Sequence, residues 1–392
     1  MVRRGSGVRI PAPARVATIL VLGGAGAMGS VAVRDLHAAT GHHLVVADAR
    51  LEAAEALAAK LGPRAEARHV DVDNPTSLAD AMEGVDAVLN ATLMRQVVAV
   101  TRAAIDAGLH LVDLGAYHPE TREQLEFDEP ARERGCRIVA GCGVAPGLTN
   151  LLARLAGDRL DEAEAIRFSS YITHPMTTSP GIVYTRFDAS VGSSLVLVDG
   201  RHEERPSFGE EEVVAFPEPY GPQAVHLVPH PEALTLPRTM QVRHVSFKVG
   251  YPADETARIR ALLQVGFDSA EPFTFGGARI VPRDLAAAYI GREGLPPDLP
   301  TANLKHVEAQ GRRAGEPVTL VFDLVVERVG EPSASAAVTG TVAAIAADLI
   351  ARGQAPEGVR APEAALDPEV VLDALAERDI HVLETERPGP SA

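Results

Sequence analysis

Lysine is scarce in this chain. Of 37 basic residues only Lys60, Lys248 and Lys305 are lysines, so a mechanism that needs a lysine to accept protons has few candidates. Cysteine is also rare, since Cys136 and Cys142 are the only two, which excludes a disulfide framework and fits a reducing, cytoplasmic location. Because both cysteines flank a predicted buried strand, we interpret them as packed thiols rather than nucleophiles.

Positive charge is in deficit as well. The chain has 37 Lys and Arg against 53 Asp and Glu, and this formal charge of −16 repels nucleic acids and anionic membrane surfaces. We therefore expect neither as a partner, and no apolar run is long enough to span a bilayer. The first 15 residues, MVRRGSGVRIPAPAR, are basic and precede no signal-type apolar segment, so we interpret them as a disordered arm outside the fold.

Several catalytic motifs are missing. None of the six tyrosines has a lysine four residues later, which excludes the Tyr-x-x-x-Lys pair of short-chain dehydrogenases. The sequence contains no His-Glu-x-x-His and no paired Cys-x-x-Cys. We therefore predict no metal site.

What is present is a glycine cluster in "VATILVLGGAGAMGSVAVRDLHAA", where a predicted strand becomes a helix. In a dinucleotide-binding turn of the form Gly-x-Gly-x-x-Gly, the first glycine makes the tight turn and the second lets the backbone approach the pyrophosphate. The third lets helix and strand pack closely, and the helix N-terminus offers N–H groups to the phosphates. The residues predicted to contact a dinucleotide here are Gly24, Ala25, Gly26, Ala27, Met28 and Gly29.

An acidic residue supports this prediction. Asp48 ends the second predicted strand, nineteen residues after Gly29, where a carboxylate accepts hydrogen bonds from the adenosine ribose. A carboxylate repels a 2′-phosphate, so Asp48 favours NAD. Arg50 leaves NADP open, because an arginine near the ribose pairs well with a phosphate, although a solvated arginine at a helix start is an equal interpretation.

Other strand ends supply further candidate cofactor contacts. Asp71 ends the third predicted strand and is a candidate for the adenine end. Asn90, Ala91 and Thr92 end the fourth, where the chain passes the cofactor in open α/β sheets. Each of these residues also fits a helix cap or a loop.

The order of predicted elements divides the chain. As far as Gly147, strands and helices alternate strictly, which predicts an α/β fold with a parallel sheet covered on both faces. Thr76 is the expected N-cap of the helix in "TSLADAMEG". Beyond Gly147, strands separated by long loops predict an α+β region, in which "ADETARIRALLQVG" is one helix and Asp199-Gly200 marks a hairpin. An Ala-rich helix from about Ser335, a further helix and a short strand follow.

Four segments together resemble the saccharopine dehydrogenase-like family, with the lysine 6-dehydrogenases as the nearest relatives: "VLGGAGAMG", "VDLGAY", "GCGVAPGLTNLLA" and "PHPEALTLPR". The resemblance implies a Rossmann-type domain at 16–147, an inserted α+β substrate and dimerisation domain at 148–334, and C-terminal helices returning to the Rossmann domain at 335–392. It also implies a homodimer and NAD(P)-linked oxidation of a C–N bond in an amino acid, or the reverse reduction of an imine.

Candidate residues for this chemistry come from the inserted segment. His230 and Glu232, in "PHPEALTLPR", are the leading pair for proton transfer, with His226 and His118 in reserve. A substrate carboxylate favours a bidentate arginine, for which Arg186 and Arg238 are candidates. Tyr117 and Asn150 are candidate substrate contacts, although Tyr117 also fits a packing role and Asn150 a helix cap.

Three alternatives remain open at this point. One is an NADP-linked reductase of an imine, as in saccharopine or carboxynorspermidine formation. A second is a lipid-modifying enoyl reductase, which would need a longer apolar stretch in the inserted domain than the sequence contains. The third is a protein that binds NAD without turning it over.

Overall fold

The computed structural model of the chain describes residues 16–115 and 117–390. The arm predicted to be disordered, at 1–15, lies outside the described residues.

The first region alternates strands and helices, as expected. Its strands are β1 (Thr18–Leu22), β2 (His43–Asp48), β3 (Ala65–His69), β4 (Ala87–Asn90), β5 (His110–Asp113) and β6 (Arg137–Val139). Its helices are α1 (Ala27–Ala39), α2 (Leu51–Leu61), α3 (Pro75–Ala81), α4 (Val97–Asp106), α5 (His118–Glu126) and α6 (Asp128–Glu133).

The second region is richer in antiparallel strands. It opens with α7 (Leu148–Arg159) and continues with the strands β7 (Glu162–Ile172), β8 (Ser193–Val198), β9 (Arg201–Pro206), β10 (Glu212–Phe216), β11 (Gly221–Leu227), β12 (His244–Gly250), β13 (Phe273–Phe275), β14 (Ala278–Ile280), β15 (Pro300–Arg313) and β16 (Glu316–Val329). Its further helices are α8 (Pro180–Ser190), α9 (Glu232–Thr239), α10 (Ala253–Gln264) and α11 (Pro282–Ile290). The chain ends with α12 (Ala334–Ala351), β17 (Gly358–Arg360), α13 (Pro362–Ala365), α14 (Pro368–Ala376) and β18 (Val382–Pro388).

Two large sheets organise these elements. The parallel sheet has seven strands in the order β17-β6-β5-β4-β1-β2-β3. The mixed sheet has nine strands, with β10-β11-β12-β7-β15-β16-β18 in line and the hairpin β8-β9 beside β12. In it β12 runs parallel to β7, and the other pairs are antiparallel. The predicted α/β class with a parallel sheet and a second α+β region is therefore confirmed.

Helix α12 joins the two sheets. It packs on α1 and on β4 and β5 of the parallel sheet, and also on β15 and β16 of the mixed sheet. By length and composition it could cross a membrane, with a mean hydropathy of 1.6, so the statement that no apolar run is long enough was wrong. Since 94% of this segment is buried inside the protein, its apolar character is that of a core helix.

Local signals were confirmed in part. Asp199 and Gly200 form the turn of the β8-β9 hairpin, both with positive φ, as the sequence predicted. The cap of α3 is Asn74 and not Thr76, because the Asn74 side chain accepts the backbone N–H of Thr76 and of Ser77. The second region also holds α8, α9 and α11 besides the one helix expected there, α10.

The limits of two strands bear on the candidate site. Strand β2 ends at Asp48, as predicted, but β3 ends at His69. Asp71 therefore lies in the following turn, where its side chain accepts the backbone N–H of Asp73. The final strand, β18, pairs with β16 of the mixed sheet, so the C-terminus contributes to both sheets. The three domain boundaries given above stay a prediction.

Candidate active site

The glycine turn has the shape that the motif requires. A Cβ on Gly29 would lie 2.2 Å from the Gly23 carbonyl oxygen, and a Cβ on Gly24 would lie 2.8 Å from that of Val21. These two glycines are needed for packing within the protein. A Cβ on Gly26 would meet only the Gly23 carbonyl oxygen, at 3.0 Å, apart from its own chain neighbours and helix. It would project into a space that the chain leaves open, as expected where a pyrophosphate approaches the backbone.

The start of α1 completes the cradle. The helix begins at Ala27 and its N-cap residue is Gly26. Within the described residues, no side chain forms a capping hydrogen bond at this N-terminus. Its first N–H groups and its dipole are therefore available to an anion. Met28 follows in the first turn.

Asp48 is held beside this turn. Its Oδ2 accepts the backbone N–H of Ala25 at 3.1 Å, and its Oδ1 accepts that of Arg50 at 3.1 Å. The Arg50 side chain is 67% exposed and lies 3.4 Å from the Asp48 carboxylate. The carboxylate is thus fixed where the motif expects the adenosine ribose, and an exposed cation is next to it.

The end of β4 closes over the glycines. The Asn90 side-chain oxygen accepts the N–H and the hydroxyl of Thr92, at 3.1 and 2.6 Å. The Ala91 carbonyl oxygen lies 2.8 Å from the point where a Cβ on Gly23 would be. Asn90, Ala91 and Thr92 thus lie next to the turn, whereas Asp71 is exposed and bonded within its own loop.

Asp113, at the end of β5, fixes two neighbouring loops. Its Oδ1 accepts the N–H of Gly115 and of Gly141, at 2.8 and 2.9 Å, and its Oδ2 accepts the amide of Gln124 at 2.7 Å. Burial raises the pKa of this carboxyl group, and the three hydrogen bonds oppose that effect. Asp113 positions the segment that leads from the parallel sheet into α7.

The two cysteines play no part in the site chemistry. Both Cys136 and Cys142 are free and buried. Burial raises the pKa of each thiol, so both stay protonated. Their interpretation as packed thiols is confirmed. Within the described ranges, no three His, Cys, Asp or Glu side chains are grouped to hold a metal ion.

The structure brings His230 and Glu232 together. The His230 Nδ1 lies 2.5 Å from the Glu232 Oε2, and the other Glu232 oxygen accepts the Thr149 hydroxyl at 3.1 Å. The imidazole stacks on Phe247 of the mixed sheet, with ring centroids 3.7 Å apart. Glu232 is fully buried, so it fixes the ring orientation and leaves Nε2 for an outside partner.

Arg186 is a buried cation that has no acidic partner among the residues that the structure describes. It lies on α8 with 2% of its surface exposed, and its guanidinium carbon is 3.9 Å from the centre of the Tyr251 ring. One nitrogen donates to the His174 carbonyl oxygen at 3.3 Å, and among residues 16–115 and 117–390 the Nε has no hydrogen-bond partner. A buried charge of this kind is costly unless an anion pairs with it.

Sequence reasoning assigned no role to Lys305, yet it lies in the same region. Its Nζ donates to the Ser170 hydroxyl at 2.6 Å and to the Asn303 side-chain oxygen at 2.5 Å. Burial lowers the pKa of Lys305 to about 7, and the charge of Arg186 acts in the same direction. Glu232 is close enough for its charge to raise that pKa in part.

A buried histidine, also missed, borders the same cluster. The His174 Nε2 lies 3.0 Å from the Ser335 hydroxyl, which also accepts the Asn303 amide at 2.7 Å. Burial and the charge of Arg186 lower its pKa to about 3, so this ring is neutral. We name the region around Arg186, His230, Glu232 and Lys305 the cleft; Lys305 and Phe247, on which His230 stacks, belong to the mixed sheet.

Some of the remaining predicted residues lie near the cleft, and others have a different role. The Tyr117 hydroxyl donates to the Thr185 carbonyl oxygen at 3.4 Å, close to Arg186, and burial raises the pKa of Tyr117 well above its usual value. Asn150 closes the start of α7 by accepting the Gly147 N–H at 2.9 Å, and it donates to Glu363 at 2.9 Å. These contacts fit its capping role, and a substrate contact for Asn150 stays a prediction.

Arg238 lies away from the cleft, because it is exposed near the C-terminal end of α9. His118 is buried at the start of α5, next to Tyr117, and burial lowers its pKa. His226 lines a cavity of about 440 Å³ between β11 and α10, with its ring 4.8 Å from that of Phe208. Tyr251, which supports Arg186, lines the same cavity. The geometry therefore separates the two arginine candidates and favours Arg186.

Comparison with known proteins settles the family. Residues 19–139 match the family model described as the saccharopine dehydrogenase NADP binding domain, and residues 143–380 match that of the saccharopine dehydrogenase C-terminal domain. The chain belongs to the saccharopine dehydrogenase family. The resemblance inferred from the four sequence segments is confirmed.

Relatives agree with this assignment. A carboxyaminopropylagmatine dehydrogenase from Synechocystis is 20% identical over 293 residues, which cover 70% of this chain and 72% of that protein. Apo saccharopine dehydrogenase (L-Glu forming) from Saccharomyces cerevisiae has the same fold, with a TM-score of 0.73 at 17% identity over 95% of this chain and all of that one. A homospermidine synthase from Legionella pneumophila, solved with NAD, has a TM-score of 0.68 at 11% identity over 95% and 91%.

This family member is therefore an NAD(P)-dependent oxidoreductase. The residues present fit the cofactor: the open space above Gly26, the free start of α1 and the fixed carboxylate of Asp48 form one continuous cradle. NAD(P) as the cofactor is confirmed. The family assignment does not distinguish NAD from NADP.

Proposed function

We propose that this chain oxidises a C–N bond in an amine that carries a carboxylate, by oxidative deamination of the lysine 6-dehydrogenase type. The observation that carries the proposal is Arg186, a buried guanidinium without an acidic partner among the described residues. A substrate carboxylate is the anion that such a group pairs with best, because the two planar groups form parallel hydrogen bonds. Tyr251 supports the guanidinium from one side.

The His230–Glu232 pair supplies proton transfer in the same cleft. With Nδ1 bonded to Glu232, the Nε2 of His230 is free to take a proton from a water or an amine. Glu232 stabilises the imidazolium that results. NAD(P)⁺, held by the glycine turn and beside Asp48, would supply the acceptor for the hydrogen of the substrate C–H bond and its electron pair. The protein residues orient the amine, exclude water until it is needed, and carry the protons.

NAD is the preferred nucleotide in this proposal. Asp48 is held beside the glycine turn by two backbone N–H groups, so its charge would repel the 2′-phosphate of NADP if the adenosine ribose bound there. Arg50 is the residue that could offset this repulsion, since it is exposed and beside Asp48. The ratio of the affinities for NAD and NADP measures whether the repulsion by Asp48 or the attraction by Arg50 dominates.

A second candidate function is the reverse reaction, an NADP-linked reduction of an imine. Two observations favour it. The name of the Synechocystis relative, carboxyaminopropylagmatine dehydrogenase, describes an amine that carries a carboxyl group, and a homospermidine synthase is among the similar structures. The same cleft serves both directions, because Arg186 and His230 act on substrate and product alike. A protein that binds NAD without turnover is the remaining alternative.

A homodimer through the second region is also part of the proposal. Large apolar side chains are exposed along one stretch of it, at Val265, Phe273, Phe275, Leu285 and Tyr289. Exposed apolar groups in one region favour burial against a second copy. Light scattering would show a dimer for the parent chain and a shift toward monomer for Phe275→Glu. The cytoplasmic location stays a prediction.

The test of the proposed function is a substrate panel. Basic amino acids, diamines and opine-type secondary amines are offered with NAD⁺ and NADP⁺, and reduced nucleotide is followed by absorbance. We expect turnover of amines that carry a carboxylate and much less turnover of the matching amines without one. Turnover only in the presence of an oxo acid or aldehyde, an amine and a reduced nucleotide would favour the imine reductase. Nucleotide binding with no turnover on either panel would contradict both.

A further inference from the structure

Lys305 is a second proton-exchanging group in the cleft. Its side chain is 2% exposed, and its two closest partners, Ser170 and Asn303, are neutral. The other lysines have ordinary surroundings: Lys60 is exposed on α2, and Lys248 forms an ion pair of 2.7 Å with Glu212. A buried lysine held only by neutral partners loses much of the stabilisation of its charged form.

The register of the mixed sheet places Lys305 above the same face as His230. Ser170 is paired with Lys305 across β7 and β15, and Phe168, two residues before Ser170, projects from the same face of β7. The Phe168 ring stacks on Phe247 at 5.7 Å, and Phe247 in turn carries the imidazole of His230. Lys305 and the imidazole of His230 therefore lie on the same face of the mixed sheet.

Charged neighbours keep Lys305 reactive at neutral pH. Arg186 lowers the pKa of Lys305, in addition to the larger effect of burial, whereas Glu232 raises it. His174 also borders this group and is neutral, so it adds no charge. With a pKa of about 7, the amine is available both to accept and to return a proton.

We propose that Lys305 accepts the proton of the substrate nitrogen, and that the His230–Glu232 pair serves the water that later cleaves the imine. This inference rests on the proposed function. In the oxidative direction the substrate ammonium gives one proton to the neutral Lys305 amine. The C–H hydrogen then leaves with its electron pair to NAD(P)⁺, and the nitrogen lone pair forms the C=N bond.

Hydrolysis completes the balance. His230 takes a proton from water as the oxygen bonds to the iminium carbon, and it passes that proton to solvent. Lys305 then returns its proton to the nitrogen, and His230 accepts the hydroxyl proton as the C–N bond breaks. A carbonyl product and ammonia or an amine leave, and His230 releases its second proton to solvent. An alternative role for Lys305 is structural, since its hydrogen bonds join β15 to β7. The two roles differ in what titration and substitution should do.

The first experiment titrates the lysine directly. With only three lysines in the chain, lysine labelled with ¹³C at Cε gives three signals in the intact protein, and Lys305→Met identifies the one of interest. We expect that signal to titrate near pH 7, well below the ordinary range of a lysine. Titration of the Lys305 signal together with the other two would overturn the proposal, whatever the substrate.

The second experiment measures turnover of the amine found in the panel. Lys305→Met should lower kcat by at least about 100-fold, the lower range for loss of a general base, with nucleotide binding unchanged. Lys248→Met, on the same sheet, is the matched control and should keep parent activity. A Lys305→Met variant within threefold of the parent would overturn the proposal.

A third experiment is needed if Lys305→Met misfolds and binds no nucleotide. It tests whether a small added amine can replace the lysine side chain. Lys305→Ala leaves space for a small amine, so added ethylamine should restore turnover, with a rate that depends on the fraction of free amine. Absence of rescue in a folded Lys305→Ala variant would overturn the assignment. Failure of the proposed function is distinct, because the parent chain itself would then oxidise no amine.

Discussion

The nucleotide turn and the cleft are assembled in different ways. The turn takes its residues from one run of sequence, 24–29, and from Asp48 at the end of the neighbouring strand. The cleft takes Arg186 from α8, His230 from the loop before α9, and Lys305 from β15. The turn meets its ligand with backbone groups, whereas the cleft offers charged side chains that the fold leaves buried.

This difference determines how far each region lowers the stability of the fold. Within the glycine turn the N–H groups of Gly24 and Gly26 are bonded to backbone carbonyl oxygens, so the turn keeps its shape without ligand and leaves only the first N–H groups of α1 for one. The cleft holds two basic side chains, Arg186 and Lys305, without an ion-pair partner among the described residues. A buried carboxyl group, Glu363, is close enough to Glu232 for that charge to act on it, and burial raises the pKa of Glu363 to about 7. Buried groups of this kind lower stability and are retained where a ligand or reaction uses them.

The largest expected effect is in the cleft. His230→Gln removes the free ring nitrogen, and kcat/KM should fall by about 10² to 10⁴, the range for general acid–base catalysis. His244→Gln, at the start of β12 and away from Phe247, is the control. Steady-state rates on the amine identified in the panel measure the effect. A loss below threefold would exclude His230 from proton transfer.

The second effect concerns stability and pH. Burial raises the pKa of Glu363 from 4.5 to about 7, so the folded chain binds its proton more tightly than the unfolded chain. Stability from this group is therefore present below pH 4.5, falls as pH rises to about 7, and is constant above that. At about 1.4 kcal/mol for each pKa unit, the loss is on the order of 3 to 4 kcal/mol.

Glu363→Gln should remove that loss while its side-chain oxygen still accepts from Asn150. Between pH 4.5 and pH 8, we expect the free energy of unfolding in urea to decline less for this variant than for the parent. Glu369→Gln, exposed on α14, should follow the parent. Parallel pH profiles for parent and Glu363→Gln would show that Glu363 does not hold its proton.

The third effect is in the nucleotide turn. Gly26→Val should leave the fold intact after a small local shift, because its Cβ would meet only the Gly23 carbonyl oxygen, at 3.0 Å, but it should weaken NAD(P) binding by about 100-fold, or about 2.7 kcal/mol. Gly41→Val is the matched control, since a Cβ there meets only Val16 at 3.8 Å. Calorimetry on both folded variants is the measurement. Equal affinity would place the pyrophosphate elsewhere.

The smallest effect distinguishes the two arginines. Arg186→Gln should raise KM for a carboxylate-bearing amine by about 30-fold, since a charged hydrogen bond contributes about 2 kcal/mol. Arg238→Gln, on the surface, should leave KM unchanged. The reverse result would place the substrate carboxylate near the end of α9. Equal KM values for both variants would remove the carboxylate from the proposal.

The sequence predicted most where its signals are local. The alternation of strands and helices, the glycine turn and Asp48 all follow from neighbouring residues. Helices α8 and α9 were missed because α8 carries Ile182, Val183 and Tyr184, which are weak helix formers, and α9 contains Pro237. Such segments form helices only because tertiary packing stabilises them.

The cleft was predicted only in part. His230 and Glu232 are two residues apart, so their pairing was visible in the sequence. Lys305 and Asn303 alternate with apolar residues in "TANLKHV", a pattern that indicates a solvent-facing row. That row is buried because α7 and α12 pack on this side of β15. The scarcity of lysine was the one sequence signal that could have directed attention to Lys305.

The most direct test follows one hydrogen atom. An amine from the panel, deuterated at the carbon that bears nitrogen, is incubated with the chain and NAD⁺ or NADP⁺, and the nucleotide is analysed by mass spectrometry. The account predicts one deuterium in each reduced nucleotide, with one carbonyl product formed. Nucleotide that binds to the folded chain but gains no deuterium from any amine would contradict it.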